Sequence, residues 1–320
     1  MRTRTTVLSI AAFVVAAAGL ATACSRDSTT INSPELRKLA QPGLDPPGNG
    51  HTQDLDGLPD LVVNTATTAH SWVVRQEEFV AGECSVEEGN IPTGSHKSLR
   101  FSVRIDNLGT ADLYVGDPLR HMDPNGDGDY SDADGLFEFA TCHKHFHFRN
   151  YARYDLLPLR ADGTLGTPIQ AKKRGFCMLD TSPAQNANGQ PGPSQYLYCG
   201  NQRFHGNQGI SRNWGDEYEK NLPGQVFVLD DPAEPAPPGR YVVRVTANPA
   251  FAETPGQPCP VKDAQGMCHM FAELSYANNV GDVVIEIPDR VGRIGVGPGQ
   301  GDFAESLDSH HHPEVHGGGH

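Results

Sequence analysis

From about residue 57 onward, apolar residues recur at every second position in short runs: Leu99, Phe101, Val103 and Ile105, and later Tyr241, Val243 and Val245. Alternation of this kind sets one face of a strand against a core and turns the other to solvent. Further strands are predicted over 71–80, 111–116, 137–158, 168–179, 225–230 and 281–287, separated by turns rich in Gly, Pro, Asn and Asp. No apolar stripe at i, i+3, i+4 is sustained and no segment repeats, so helices should be short. The expectation is an all-β chain: an antiparallel β-sandwich with long loops and few short helices.

The ends follow other patterns. Arg2 and Arg4 precede an apolar run from Val7 to Leu20, then Ala21-Thr22-Ala23 and Cys24. The run is too short to span a bilayer and reads as an export signal over 1–23. A cysteine after small residues resembles a bacterial lipobox, although Leu20 stands one place early. Cys24 would then carry lipid, with simple cleavage nearby as the alternative. Residues 24–56 read as a flexible tether, 57–289 as one folded domain, and 290–320 as a disordered Gly/His-rich tail. No later segment is apolar enough to span a membrane, so any membrane contact should run through the N-terminal lipid.

Charge narrows the partners. The 320 residues carry 25 Lys and Arg against 39 Asp and Glu, a formal charge of −14. Losing 1–23 removes Arg2 and Arg4 and carries this to −16. That disfavours nucleic acid and favours cationic substrates. Setting Cys24 aside, six of the seven cysteines remain, which suits three disulfides in an exported protein. Six cysteines allow 15 pairings. Cys259 and Cys268 bracket a short loop containing Pro and Gly and should close on each other.

Three segments carry candidate chemistry. In Cys142-His143-Lys144-His145-Phe146-His147-Phe148, a strand would project His143, His145 and His147 from one face, enough to ligate one metal. Nitrogen ligation suits copper(II) or zinc, and the ligand set does not choose between them. The alternative is a solvated polar face. Asp123, Asn125, Asp127, Asp129, Ser131 and Asp134, with Gly128 at position 6, have the spacing of an EF-hand-type calcium loop closed by Asp rather than Glu. With no helices evident beside it, this predicts a calcium-stabilised loop, the alternative being a solvated acidic turn. The third segment, Lys172-Lys173-Arg174 with Asp216-Glu217-Tyr218 downstream, reads by itself as surface. The terminal segment holds five of the 14 histidines, able to capture copper loosely but without fixed geometry.

Taken in order, these segments resemble the lysyl oxidase catalytic domain over about 57–289. The resemblance rests on Gly57-Leu58-Pro59-Asp60-Leu61-Val62, Cys142–Leu157 with its Cys-His-x-His-x-His core, and Phe176-Cys177-Met178-Leu179-Asp180-Thr181. It continues through Gln208-Gly209-Ile210-Ser211, Asp216-Glu217-Tyr218, Pro238-Gly239-Arg240-Tyr241, Asn248-Pro249 and Tyr276-Ala277-Asn278-Asn279. It implies copper on His143, His145 and His147, and lysine tyrosylquinone formed from Lys173 and Tyr218. Lys173 is chosen over Lys172 because it stands three places before Phe176. It also implies calcium on Asp60, the Leu61 carbonyl, Glu273, Asn278 and Asn279, with Ser275 where the family has Asp.

For the cysteines the resemblance implies a Cys142–Cys199 pair, leaving Cys84 with Cys177 by elimination. Arg153 stands where the family has a histidine, which leaves the proton-abstracting base unassigned, with Asp155 and Asp216 as the candidates. The implied activity is oxidation of primary amines, such as peptidyl lysine or polyamines, to aldehydes with release of hydrogen peroxide and ammonia. Two other classes stay open: a copper-binding surface lipoprotein without catalytic activity, and a calcium-stabilised adhesion module.

Overall fold

The computed structural model describes residues 56–305, apart from Arg174, Asn186 and Asn188. The expected signal, Cys24, the tether up to residue 55 and the terminal histidines lie outside the described residues. Among the described residues every sheet is antiparallel, and helix is confined to Thr65–His70, Cys84–Glu87 and Leu119–Met122. Among the described residues no helix is long and apolar enough to cross a membrane. The all-β expectation holds.

Two sheets enclose the main core. One orders Val226–Val228, Gly94–Phe101 and Trp72–Phe79; the other orders Val280–Ile287, Gly239–Ala247, Ala152–Pro158 and Ile169–Gln170. Phe101 of the first meets Tyr154 of the second edge-on, with centroids 5.4 Å apart, and stacks on Phe227 at 5.1 Å. Burying each such ring stabilises by roughly 1.5–3 kcal/mol. A third sheet orders Leu61–Val63, Val103–Asn107, Trp214–Tyr218 and Ser182–Pro183.

The alternating run 99–105 is not one strand. It breaks at Ser102, whose carbonyl accepts from Thr68 Oγ1 at 2.8 Å and whose hydroxyl lies 2.8 Å from that of Ser71. The chain therefore leaves one sheet at Phe101 and enters another at Val103 without a turn. The run 137–158 likewise divides into Phe137–Ala140, His145–Arg149 and Ala152–Pro158. Lys144 and Asn150, at φ 61° and 59°, sit at the breaks. Of the described residues in 168–179, only Ile169–Gln170 and Gly175–Phe176 are strand, and they join different sheets. Trp214–Tyr218 escaped the pattern because its acidic, Gly-containing sequence has little β character, and its pairing partner Val103–Asn107 supplies the order.

Two disulfides differ from the expected pairs. Cys84 joins Cys142 and Cys177 joins Cys199, with Cα separations of 5.5 and 5.4 Å, while Cys259 joins Cys268 as expected. Cys142–Cys199 and Cys84–Cys177 are thus corrected. A bridge needs adjacent Cα atoms, and only the folded chain brings the helix Cys84–Glu87 beside Cys142. Non-reducing peptide mapping should recover these three crosslinks. The double variant Cys84→Ser with Cys142→Ser should lose about 2–4 kcal/mol, read as a melting temperature lower by roughly 5–15 °C.

The folded part also runs past residue 289, correcting the expected start of the disordered tail. Val296 exchanges backbone hydrogen bonds with Val74 at 2.8 and 2.9 Å, and Glu305 pairs with the buried Arg100 at 3.2 Å. The Gly-rich sequence of this strap hides order because its partners lie more than 200 residues away.

Candidate functional site

The histidines sit on a hairpin. Phe137–Ala140 pairs with His145–Arg149, placing Glu138 opposite His147 and Ala140 opposite His145. Alternation sends Phe146 and Phe148 into the core, 0% and 2% exposed, and turns His145 and His147 to the other face. His143 does not share that strand. It lies in the turn before it, and the positive φ of Lys144 swings it back over the other two. Ring centroids are 5.6 Å (143–145), 5.0 Å (143–147) and 4.9 Å (145–147) apart, and Nε2 of His145 lies 3.1 Å from Nε2 of His147.

Glu88 completes the cluster. One carboxylate oxygen accepts the His143 Nδ1 proton and the other accepts the Cys142 amide at 2.5 Å. That fixes the His143 tautomer and leaves its Nε2 lone pair free for a metal. Glu88, His143 and His147 converge closely enough to hold a metal ion. Burial, and after it His143 and Lys173, push His145 down to about 3, so its imidazole is a neutral ligand at physiological pH. The donor set fits copper(II), for which imidazole is a suitable ligand. Glu88 carries no spacing signal in the sequence; the Cys84–Cys142 bridge brings it here.

Beside this cluster lies a pocket lined by Glu88, His143, His147, Lys172, Lys173 and Gly224. Its wall depends on Gly175, which pairs with Arg149, because a Cβ there would fall 2.4 Å from His147 Nδ1. Lys172 turns to Asp231, with Nζ 3.7 Å from the carboxylate, whereas Lys173 Nζ stands 5.0 Å from the Tyr218 ring centroid. Of the two lysines, Lys173 is thus the one beside the tyrosine. Desolvation lowers its ammonium to about 8, against the attraction of Asp216, Glu88 and Glu305.

Tyr218 is 1% exposed and held edge-on to Phe176, centroids 5.3 Å apart. Its hydroxyl donates to the Cys177 carbonyl at 2.8 Å, and burial, then Asp216, keeps it protonated. Asp216 shares the Tyr218 face of its strand, is fully buried, and is pushed by burial well above the usual carboxylate range. Asp155 is engaged by Arg153 Nε at 2.9 Å and does not line the pocket.

The expected calcium ligands at the domain's two ends do meet. Asn278 donates to both Asp60 oxygens at 3.1 Å, Asn279 donates to Glu273 at 2.8 Å, and the Leu61 amide rather than its carbonyl contacts Glu273, at 2.6 Å. The side-chain oxygens of Asn278 and Asn279 are buried without a hydrogen-bond partner. In the Asp123–Asp134 loop, Asp123, Asn125, Asp127 and Asp129 accept loop amides at 2.8–3.0 Å, Gly128 has φ 82°, and Asp134 reaches His121 at 2.6 Å. Contrary to expectation, a helical turn, Leu119–Met122, precedes this loop.

Comparison with known proteins gives a consistent picture. The family model described as "Lysyl oxidase" matches residues 59–255. Lysyl oxidase homolog 2 of Pongo abelii is 28% identical over 236 residues, covering 69% of this chain and 24% of that protein. Lysyl oxidase homolog 4 of Homo sapiens is 26% identical over 207 residues, covering 62% and 23%. Lysyl oxidase homolog 3 of Homo sapiens is 27% identical over 203 residues, covering 60% and 23%. The chain spans about a quarter of the length of these relatives.

Proposed function

Because the chain belongs to the lysyl oxidase family, we propose that it is an exported, copper-dependent oxidase of primary amines. The observation that carries this is one pocket lined by His143, His147 and Glu88, with His145 packed against both imidazoles, and by a lysine whose amine stands over a buried tyrosine ring. Copper on His143, His145 and His147, with lysine tyrosylquinone made from Lys173 and Tyr218, would supply the carbonyl electrophile and electron sink by which oxygen converts an amine to an aldehyde, ammonia and hydrogen peroxide.

The protein's own groups support that chemistry. Glu88 orients His143, Phe176 and the Cys177 carbonyl fix the tyrosine, and burial keeps bulk water from the Tyr218 ring. Asp216 is the carboxyl able to hold and return a proton beside Tyr218; Asp155 is committed to Arg153. The negative charge favours cationic amines such as peptidyl lysine or polyamines.

The test is hydrogen peroxide release from copper-loaded protein given a primary amine. Turnover supports the enzyme reading, while stoichiometric copper with no peroxide favours the non-catalytic copper-binding lipoprotein. Export, with a lipid on Cys24 as its finer form, is supported by three disulfides and the N-terminal pattern.

Calcium at Asp60, Glu273, Asn278 and Asn279 is part of the same proposal, supported by two orphaned amide oxygens beside two carboxylates. The Asp123 loop is a second, exposed candidate. Calcium a hundredfold above its Kd should stabilise by about 2.7 kcal/mol, so a chelator should lower the melting temperature of calcium-loaded protein by roughly 5–10 °C. An unchanged melting temperature would remove both sites.

A further inference from the structure

The strap over 291–305 lies outside the family match, which covers 59–255. It pairs Val296 with Val74 and lays Phe303 4.2 Å from the Arg75 guanidinium. It ends with the Glu305 carboxylate on Arg100 at 3.2 Å and on the Ser85 amide and hydroxyl, its side chain only 7% exposed. Arg100 is fully buried and already has a bidentate partner in Glu77, at 2.9 and 3.1 Å. Glu305 is therefore not needed to neutralise that guanidinium, and burying a surplus carboxylate is costly unless it serves something else. Its attraction also reaches the Lys173 ammonium.

The Ser85 hydroxyl that donates to Glu305 accepts the Gly224 amide at 2.8 Å. Arg100 holds the same turn by donating from Nη1 to the Leu222 carbonyl at 2.9 Å. Gly224, at φ 72°, lies against the root of Lys173: a Cβ on it would stand 3.4 Å from both Cα and Cβ of that lysine. A lysine side chain has many rotamers, so the wall behind its root decides where its amine points.

We propose that Glu305 is a positioning residue for Lys173: through Ser85 the strap carboxylate holds Gly224 against the lysine, so that its amine is presented to the Tyr218 ring for crosslinking. The inference rests on the quinone reading of that pair. In the crosslinking, one dioxygen converts the tyrosine phenol to an ortho-quinone and water. The Lys173 amine then adds to the ring, forming the C–N bond as the quinone becomes a catechol. A second dioxygen takes two electrons and two protons from that catechol and leaves as hydrogen peroxide. Only the addition needs the amine close to the ring, so it is the step a displaced lysine slows.

The test compares the full chain with Glu305→Gln, Ser85→Ala and the double variant. Each is brought to full copper occupancy, checked by paramagnetic resonance, and held well below the melting temperature of the least stable. Crosslinking is followed as the peptide joining positions 173 and 218 and as phenylhydrazine-reactive carbonyl. Each single variant should form the crosslink roughly tenfold slower or more. The double variant should be no slower than the slower single one, because both changes cut the same connection. An unchanged rate in either single variant would overturn the proposal, whatever its melting temperature. So would a double variant slowed by the product of the single effects, the mark of two independent structural losses. A full chain that never forms the crosslink would instead bring down the quinone reading itself.

Discussion

Lys173→Arg and Tyr218→Phe should each leave copper bound and reduce amine oxidation to background. The rate enhancement at stake is on the order of 10⁶ or more, and it belongs to covalent chemistry that neither variant can build. Arginine keeps the charge without a comparable nucleophilic amine, and phenylalanine lacks the oxygen a quinone needs. Aged holoprotein should contain one crosslinked peptide spanning both positions and should react with phenylhydrazine; both variants should lack these signatures. Because Lys173 titrates near 8, its neutral fraction rises from roughly a tenth at pH 7 to nine-tenths at pH 9. At constant copper occupancy the crosslink should therefore form about tenfold faster at pH 9. Normal oxidation by Lys173→Arg with failure of Lys172→Arg would contradict the 5.0 Å placement of Lys173 over the tyrosine.

His145→Ala should lose copper and activity together, since two remaining imidazoles do not hold the metal tightly. Glu88→Gln is the more discriminating variant. It retains shape but weakens the acceptor that orients His143, and copper affinity should fall roughly 10- to 100-fold, the usual effect of losing such an outer partner. Competition against a chelator reads both. Unchanged affinity in Glu88→Gln would mean that the Cys84–Cys142 bridge alone holds His143 in place.

The strand-rich class and several strands were legible because burial of one sheet face imposes a two-residue period directly on the chain. The order of short motifs was legible for the same local reason, and so was Cys259–Cys268, whose partners are 9 residues apart. Where a strand changes sheet was not: Ser102 looks like one more polar position, and only its contacts with Thr68 and Ser71 make it a corner.

By itself, then, the sequence determined the all-β character and the histidine hairpin's residues, while the family resemblance singled out a lysine and a tyrosine 45 positions apart in the chain. The tertiary structure decided what those residues meet. It turned His143 out of the strand, set Lys173 over the Tyr218 ring and Lys172 toward Asp231, re-paired four cysteines, brought in Glu88, and folded the Gly-rich strap back to Arg100. The physical reason is separation along the chain. Periodicity reports which side of a strand is buried, whereas partners 20 to 200 residues away are selected by shape, charge and hydrogen bonding that exist only after the sheets have packed.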